Sequence, residues 1–464
     1  MAQALRSFGI HSSFFLLYVP GVLLLVSMIF GGIFATLEDW DFHEGMLYVG
    51  GDIVLLPLSK LSPKTDAGIV ADFFISCFAL GVLSWVVAII GLLPICDSIC
   101  TAVGAKHANT LVAISKSSIL FLVIGLPVMF FKLSVIFAVI VMIVDGFTFE
   151  YALGLSLSLI SHAAGLAPSS PGSTVAGHIV SLICALTAVG FVLGISVGVY
   201  LVFPWVGTLV DLVSKRVSDK GLFAKFGHFV VCVVIGMPLI VLPLAIVLGS
   251  ILTAVEGWLN VVDGILYVGS SLVLIPLTSV VPTTLGGKIF DYFVSCFGIG
   301  VFGFVLAIIG ALPFTDAFCE KLGGKSENQA KSYGFILAFF FIIMPITCFL
   351  VALPLGGILA SGEGWSLADG WLFAASILVQ APSLAPAGAV AKTDGGRILV
   401  LIVAVYSLCV TLGWGAGIVV ASSALDLVNQ KIKGLFGRIE AAAMDSASDP
   451  KPDADSCGEP TIEV

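Results

Sequence analysis

Residues 266–313 read LYVGSSLVLIPLTSVVPTTLGGKIFDYFVSCFGIGVFGFVLAIIGALP, and residues 47–94 read LYVGGDIVLLPLSKLSPKTDAGIVADFFISCFALGVLSWVVAIIGLLP. The two align without a gap and about half their positions are identical. Shared positions include Tyr48/Tyr267, Pro57/Pro276, Pro63/Pro282, Gly68/Gly287, Asp72/Asp291 and the SCF triplets from Ser76 and Ser295. Shared apolar bias does not give that level of identity. Two more stretches follow the same order loosely: DGF from Asp145 and EGW from Glu363 open them, and LAP recurs at Leu166 and Leu384. The chain reads as a tandem duplication of a two-unit ancestor, with all four units in the same sense.

Composition says where such units live. Of 464 residues, 11% are charged and 59% hydrophobic, whereas a soluble domain carries about 25% charge. Lipid must replace the missing polar surface, which excludes a water-soluble enzyme. The net charge of −9, with no basic stretch to follow a phosphate backbone, excludes nucleic-acid binding. The ten cysteines lie mostly in apolar runs (Cys77, Cys184, Cys232, Cys296, Cys409) and read as small buried hydrophobes.

Runs of about 20 apolar residues cross a bilayer. Eight have that length: Phe14–Leu37, Ile69–Leu93, Ser117–Val144, Val175–Val202, Phe229–Val255, Ile289–Leu312, Gly334–Ala360 and Ile398–Leu425. The first is too long for a signal-peptide core. Between each odd span and the next lies a shorter run: Gly45–Leu58, Phe149–Ala163, Gly264–Leu277 and Gly370–Ala381. Such runs dip into the membrane or are buried. The expected fold is therefore an all-α membrane protein of eight transmembrane helices with four re-entrant helices. Its units cover 1–104, 105–216, 217–324 and 325–438, ahead of an acidic, apolar-poor tail at 439–464 that composition marks as disordered. Most Lys and Arg residues in the connections fall on the side opposite the dips, placing both termini in the cytoplasm. Which membrane holds the chain is not written in the sequence.

The third unit resembles the pore region of potassium channels, most closely the two-pore-domain family. The resemblance is carried by EGW from Glu256, DG at Asp263, Pro282, Gly287-Lys288-Ile289-Phe290, Gly298, Gly300 and Phe302. Unit one matches nearly as well, and unit four keeps EGW, DG and GGRI at 395–398. The resemblance implies an outer helix, a pore helix, a filter and an inner helix in each unit. Four units on one chain then imply a covalent pseudotetramer around a central axis, working as a monomer that passes ions. The single-chain plan also resembles bacterial and plant potassium-uptake proteins.

The signature filter is nevertheless absent. The slots the family fills with T-T-V-G-Y-G-D hold Val54, Leu55, Leu56, Pro57, Leu58, Ser59 and Lys60 in unit one. In unit three they hold Val273, Leu274, Ile275, Pro276, Leu277, Thr278 and Ser279. Unit two offers Ser161, His162, Ala163, Ala164 and Gly165, and unit four Gln380, Ala381, Pro382 and Ser383. A potassium filter stacks backbone carbonyls that replace the ion's hydration shell, using torsions that glycine reaches freely. Proline fixes φ near −65°, so Pro57 and Pro276 preclude that ladder. Altered selectivity follows.

Several residues keep two readings. Ser59, Thr278, Ser161 and Ser383 either replace lost carbonyl ligands or cap loop backbone. Lys60 either faces the axis, or reaches outer water or pairs with Asp52 or Asp66, and His162 is a pH sensor or a structural imidazole. Gly81, Gly194, Gly300 and Gly413 either hinge the inner helices or let them pack closely. The C-terminal Ile462-Glu463-Val464 either docks on a partner's sheet edge or is a chance ending. No cofactor is indicated, and no intramembrane cluster has ligand or triad spacing. The function expected is passive cation permeation through a rewritten filter; the alternative is a non-conducting channel-derived subunit.

Overall fold

The computed structural model describes residues 19–56, 58–91, 93–105, 110–167, 174–215, 217, 219–386, 389–426, 430 and 434. Among them every regular element is helical. Seven helices are long and apolar enough to cross a membrane: Val19–Glu38, Asp66–Gly91, Val112–Asp145, Leu222–Glu256, Leu285–Gly310, Gln329–Glu363 and Asp394–Ala421. The expected eighth lies in unit two. There Val175–Ala188 and Gly194–Val202 are joined through a π-helical turn, and the chain then bends by 73° into Pro204–Ser214. An eighth span is reached only if that bent pair counts as one. The start expected at Phe14 and the tail at 439–464 lie outside the described residues.

Each unit places three helices in the same order. The outer helices end in 20-residue stretches, Val19–Glu38, Leu126–Asp145, Met237–Glu256 and Met344–Glu363. The last three are entered through a π-helical turn, Leu120–Gly125, Cys232–Gly236 and Phe339–Ile343. Each turn is followed within two residues by Pro127, Pro238 or Pro345. Proline removes one N–H and its ring clashes with the carbonyl four residues back, and a widened turn relieves both.

The short helices are all of 13 residues: Phe42–Val54, Phe149–Ser161, Val261–Val273 and Leu367–Val379. At 1.5 Å per residue they are about 20 Å long, against an apolar thickness of about 30 Å. Thr148, Asn260 and Ser366 cap three of them by accepting a backbone N–H. Each runs back along its outer helix through small residues. A Cβ on Gly45, Gly264 or Gly370 would sit 2.3 Å from the carbonyl oxygen of Gly31, Gly249 or Gly356. In unit two the same positions hold Ala138 and Ala152, both fully buried.

A carboxylate clasp then turns the chain into each inner helix. The final outer-helix residue is acidic in every unit. Glu38 accepts from the N–H groups of Lys64 and Thr65 and from Thr65 Oγ1. Glu256 does the same with Thr283 and Thr284, and Glu363 with Lys392 and Thr393. Asp145 accepts from Thr174 Oγ1 at 2.6 Å. Each threonine also caps its helix by accepting from Gly68, Gly177, Gly287 or Gly396. Negative charge at a helix N-terminus is favourable. These glycines leave room for it: a Cβ on Gly287 would lie 1.6 Å from Glu256 Oε1.

The inner helices touch one another in pairs: first with second, second with third, third with fourth, and fourth with first. At each contact the backbones approach over small residues. Gly91 faces Gly198, Ser196 faces Gly303, Gly310 faces Gly417, and Gly415 faces Ser84. Cysteine behaves as read from the sequence, since eight of the nine described thiols are buried and none is bridged.

Gly287→Ala is expected to lower the thermal unfolding midpoint in detergent, by an amount worth about 1–3 kcal/mol, because the clasp loses its hydrogen bonds. Gly286→Ala, whose Cβ would meet only Val255 at 3.5 Å, is expected to leave the midpoint unchanged or raise it.

Candidate functional site

The region with most to explain is where the short helices end. Every one ends on a non-glycine residue with positive φ: Leu55 (59°), His162 (57°), Leu274 (56°) and Gln380 (58°). The residue that follows donates to the carbonyl five positions back in three units, Leu56 to Gly51, Ile275 to Ser270 and Ala381 to Ser376. This left-handed cap satisfies carbonyls that the helix leaves open. For a non-glycine residue it costs on the order of 1–3 kcal/mol. Burying the Leu55 and Leu274 side chains, which are 6% and 4% exposed, offsets about 1.5–3 kcal/mol each. Glycine would relax the torsion and lose the burial.

The filter-slot residues divide. Leu56, Leu58 and Leu277 are half-buried, Ile275, Ala163, Gly165 and Ala381 are buried, and Ala164, Pro276, Ser279 and Lys60 are exposed. Pro57 lies outside the described residues. The four hydroxyls serve the protein itself. Ser59 donates to Glu44 and accepts from Leu61 N–H, and Thr278 accepts from Val280 N–H. Ser161 donates to Leu157 O, and Ser383 donates to Asp72.

That last contact joins residues 311 apart in sequence and has a counterpart. Asp72, fully buried on the first inner helix, accepts from Tyr48 Oη at 2.8 Å and from Ser383 of the unit-four loop. Asp291, its equivalent on the third inner helix, pairs with Tyr267 and with Ser295, and accepts from Gly165 N–H of the unit-two loop at 3.0 Å. Units two and four have Leu155 with Ser181 and Phe373 with Val400 in these positions. Odd units thus supply a buried carboxylate, and even units supply the loop group that satisfies it. An unpaired buried carboxylate costs several kcal/mol, so these bonds fix where the loops lie. One signal of this pairing is local: a Tyr–Asp pair spaced 24 residues apart in both odd units, with an acid inside a span.

Below Leu55, Leu274 and Gln380 lies a pocket of about 290 Å³. Its wall combines Gly51, Asp52, Leu55 and Leu56 with 274–277 from unit three, and Phe373, Ser376, Ile377, Gln380, Ala385 and Val400 from unit four. The ends of three short helices therefore meet at one place.

The candidate hinge glycines are occupied by neighbours. A Cβ on Gly81 would lie 2.6 Å from the Phe340 ring, on Gly300 2.0 Å from Leu122, on Gly194 2.4 Å from Ile90, and on Gly413 2.9 Å from Ile309. Gly194 follows a π-helical turn at 189–193 and Gly413 ends another at Leu408–Gly413, so the second and fourth inner helices depart from α geometry there.

No family model, no curated protein and no solved structure matches the chain.

A double-mutant cycle on Asp72→Asn and Ser383→Ala, read as unfolding free energy in detergent, is expected to give a coupling of about 1–3 kcal/mol. A value near zero would show that the unit-four loop is not held by the first inner helix.

Proposed function

We propose that this chain is a passive pathway for cations, built on the pore-loop plan and lacking potassium selectivity. The observation that carries the reading is the order of contacts among the inner helices, in which the fourth returns to the first. Four helices in that order enclose an axis, and the span, short helix, loop and span of each unit lie around it. One chain then acts as a covalent pseudotetramer, with the loops on the outer side and both termini in the cytoplasm. The short helices present C-terminal ends with partial negative charge to the meeting place, which favours cations. Selectivity for potassium is not expected, because the loops spend their residues on caps and on Asp72 and Asp291 rather than on stacked carbonyls.

A second reading, a non-conducting subunit derived from a channel, is favoured by one specific feature. The pocket at the meeting place is lined mainly by Leu, Ile, Pro and Phe side chains, and such constrictions close by dewetting.

Purified protein in liposomes separates the two. The pathway reading expects Na⁺ and K⁺ fluxes of similar size and little Cl⁻ flux. Gly198→Leu, which forces apart helices whose backbones meet at Gly91, is expected to change the flux. Vesicles no leakier than protein-free ones, for both wild type and variant, would leave the non-conducting reading standing.

A further inference from the structure

The pocket between units one, three and four holds an acidic side chain in its wall. Asp52 lines it, and Asp52 Oδ2 is buried without a hydrogen bond among the described residues. Across the same pocket the Gln380 Nε2 is also buried and unpartnered. The charged group that acts on Asp52 is Asp72, of the same sign. Asp72 has Tyr48 and Ser383 as hydroxyl donors; Asp52 has only the Ser76 hydroxyl beside it, and its Oδ2 stays without a hydrogen bond. The equivalent positions in the other units are Leu159, Ser271 and Ile377, so the feature is peculiar to unit one. A carboxylate in an apolar wall beside a second carboxylate stays ionised only with a positive partner.

We infer that this pocket binds a small organic ammonium ion carrying an apolar substituent, with Asp52 as its counter-ion. The ammonium N–H groups donate to the Asp52 carboxylate and to the Gln380 side-chain carbonyl, whose orientation the amide is free to reverse. Ser376 donates to Phe373 O and keeps a lone pair for the same cation. The Phe373 ring lines the wall and attracts a cation over its face. Leu, Ile and Pro side chains cover the apolar part. A volume of about 290 Å³ suits a ligand at the small end of the range for organic molecules. A hydrated alkali ion would find only the side-chain oxygens of Asp52, Gln380 and Ser376 in a wall that is otherwise mostly apolar. The inference does not depend on conduction.

Benzylammonium and its neutral counterpart benzyl alcohol test it by calorimetry on the purified full-length protein in detergent. Benzylammonium is expected to bind the wild type at least about tenfold more tightly than benzyl alcohol. Asp52→Asn is expected to remove that difference while leaving the unfolding transition cooperative, and Phe373→Leu to weaken ammonium binding alone. Equal affinity for the two probes, or unchanged ammonium binding in Asp52→Asn, would overturn the inference. Displacement of benzylammonium by K⁺ but not by N-methyl-D-glucamine would assign the pocket to an alkali cation and overturn it as well. Flux without ammonium binding sinks only this inference; binding without flux sinks only the pathway reading.

Discussion

A 13-residue helix that stops inside a bilayer leaves open carbonyls and a loop of irregular backbone where no water can satisfy them. Such backbone is tolerated at membrane depth only when protein covers it or a watery cavity receives it. This chain contains four 13-residue helices, each too short to cross an apolar layer of about 30 Å, and protein covers their ends. Left-handed caps at Leu55, Leu274 and Gln380 turn carbonyls back onto the helix. The carboxylate clasps secure the loops at the far end. Gly31, Gly249 and Gly356 let three of the short helices lie close to their own outer helices.

The arrangement alternates rather than repeating identically. Tyr48–Asp72 and Tyr267–Asp291 sit in the odd units, while Ser383 and Gly165 reach them from the even ones. The first and third inner helices are continuous 26-residue α-helices. The second and fourth carry π-helical turns. A buried carboxylate adds little net stability, but its donors must come to it, and here one donor to each, Ser383 or Gly165, belongs to another unit. These contacts fix which loop meets which helix. Identical units would lack that discrimination.

Much of this was legible in the sequence because apolar run length is a robust quantity. Three of the four short apolar runs begin and end about three residues later than the helices they mark, and the fourth matches its helix at the start. The polar first turns of those three helices, such as Phe42-His43-Glu44, do not register as apolar. The outer helices extend further toward the N-terminus than hydropathy alone marks, as in Leu222–Glu256, where Lys225 and His228 dilute the run. Proline at 276 argues against a glycine-built ladder, and the left-handed residue lies two positions earlier, at Leu274. Nothing in a leucine announces positive φ. The clasps were partly visible, as acidic residues before glycine or tryptophan and as repeated T-x-x-G. Their pairing spans 26 to 30 residues and needs the fold to be seen. Pairing between units, as in Ser383 with Asp72, leaves no local trace at all.

The central claim is that the inner helices close on themselves, the fourth against the first. A cysteine pair tests it most directly: Ser84→Cys with Gly415→Cys, in a background with native cysteines replaced, oxidised in the membrane and cut by protease in the connection around residues 215–220. A Cβ at Gly415 lies 2.9 Å from Ser84 Oγ, so closure should join the two fragments through a disulfide that reductant releases. Fragments that separate without reductant, or bridges that form only between molecules, would contradict it.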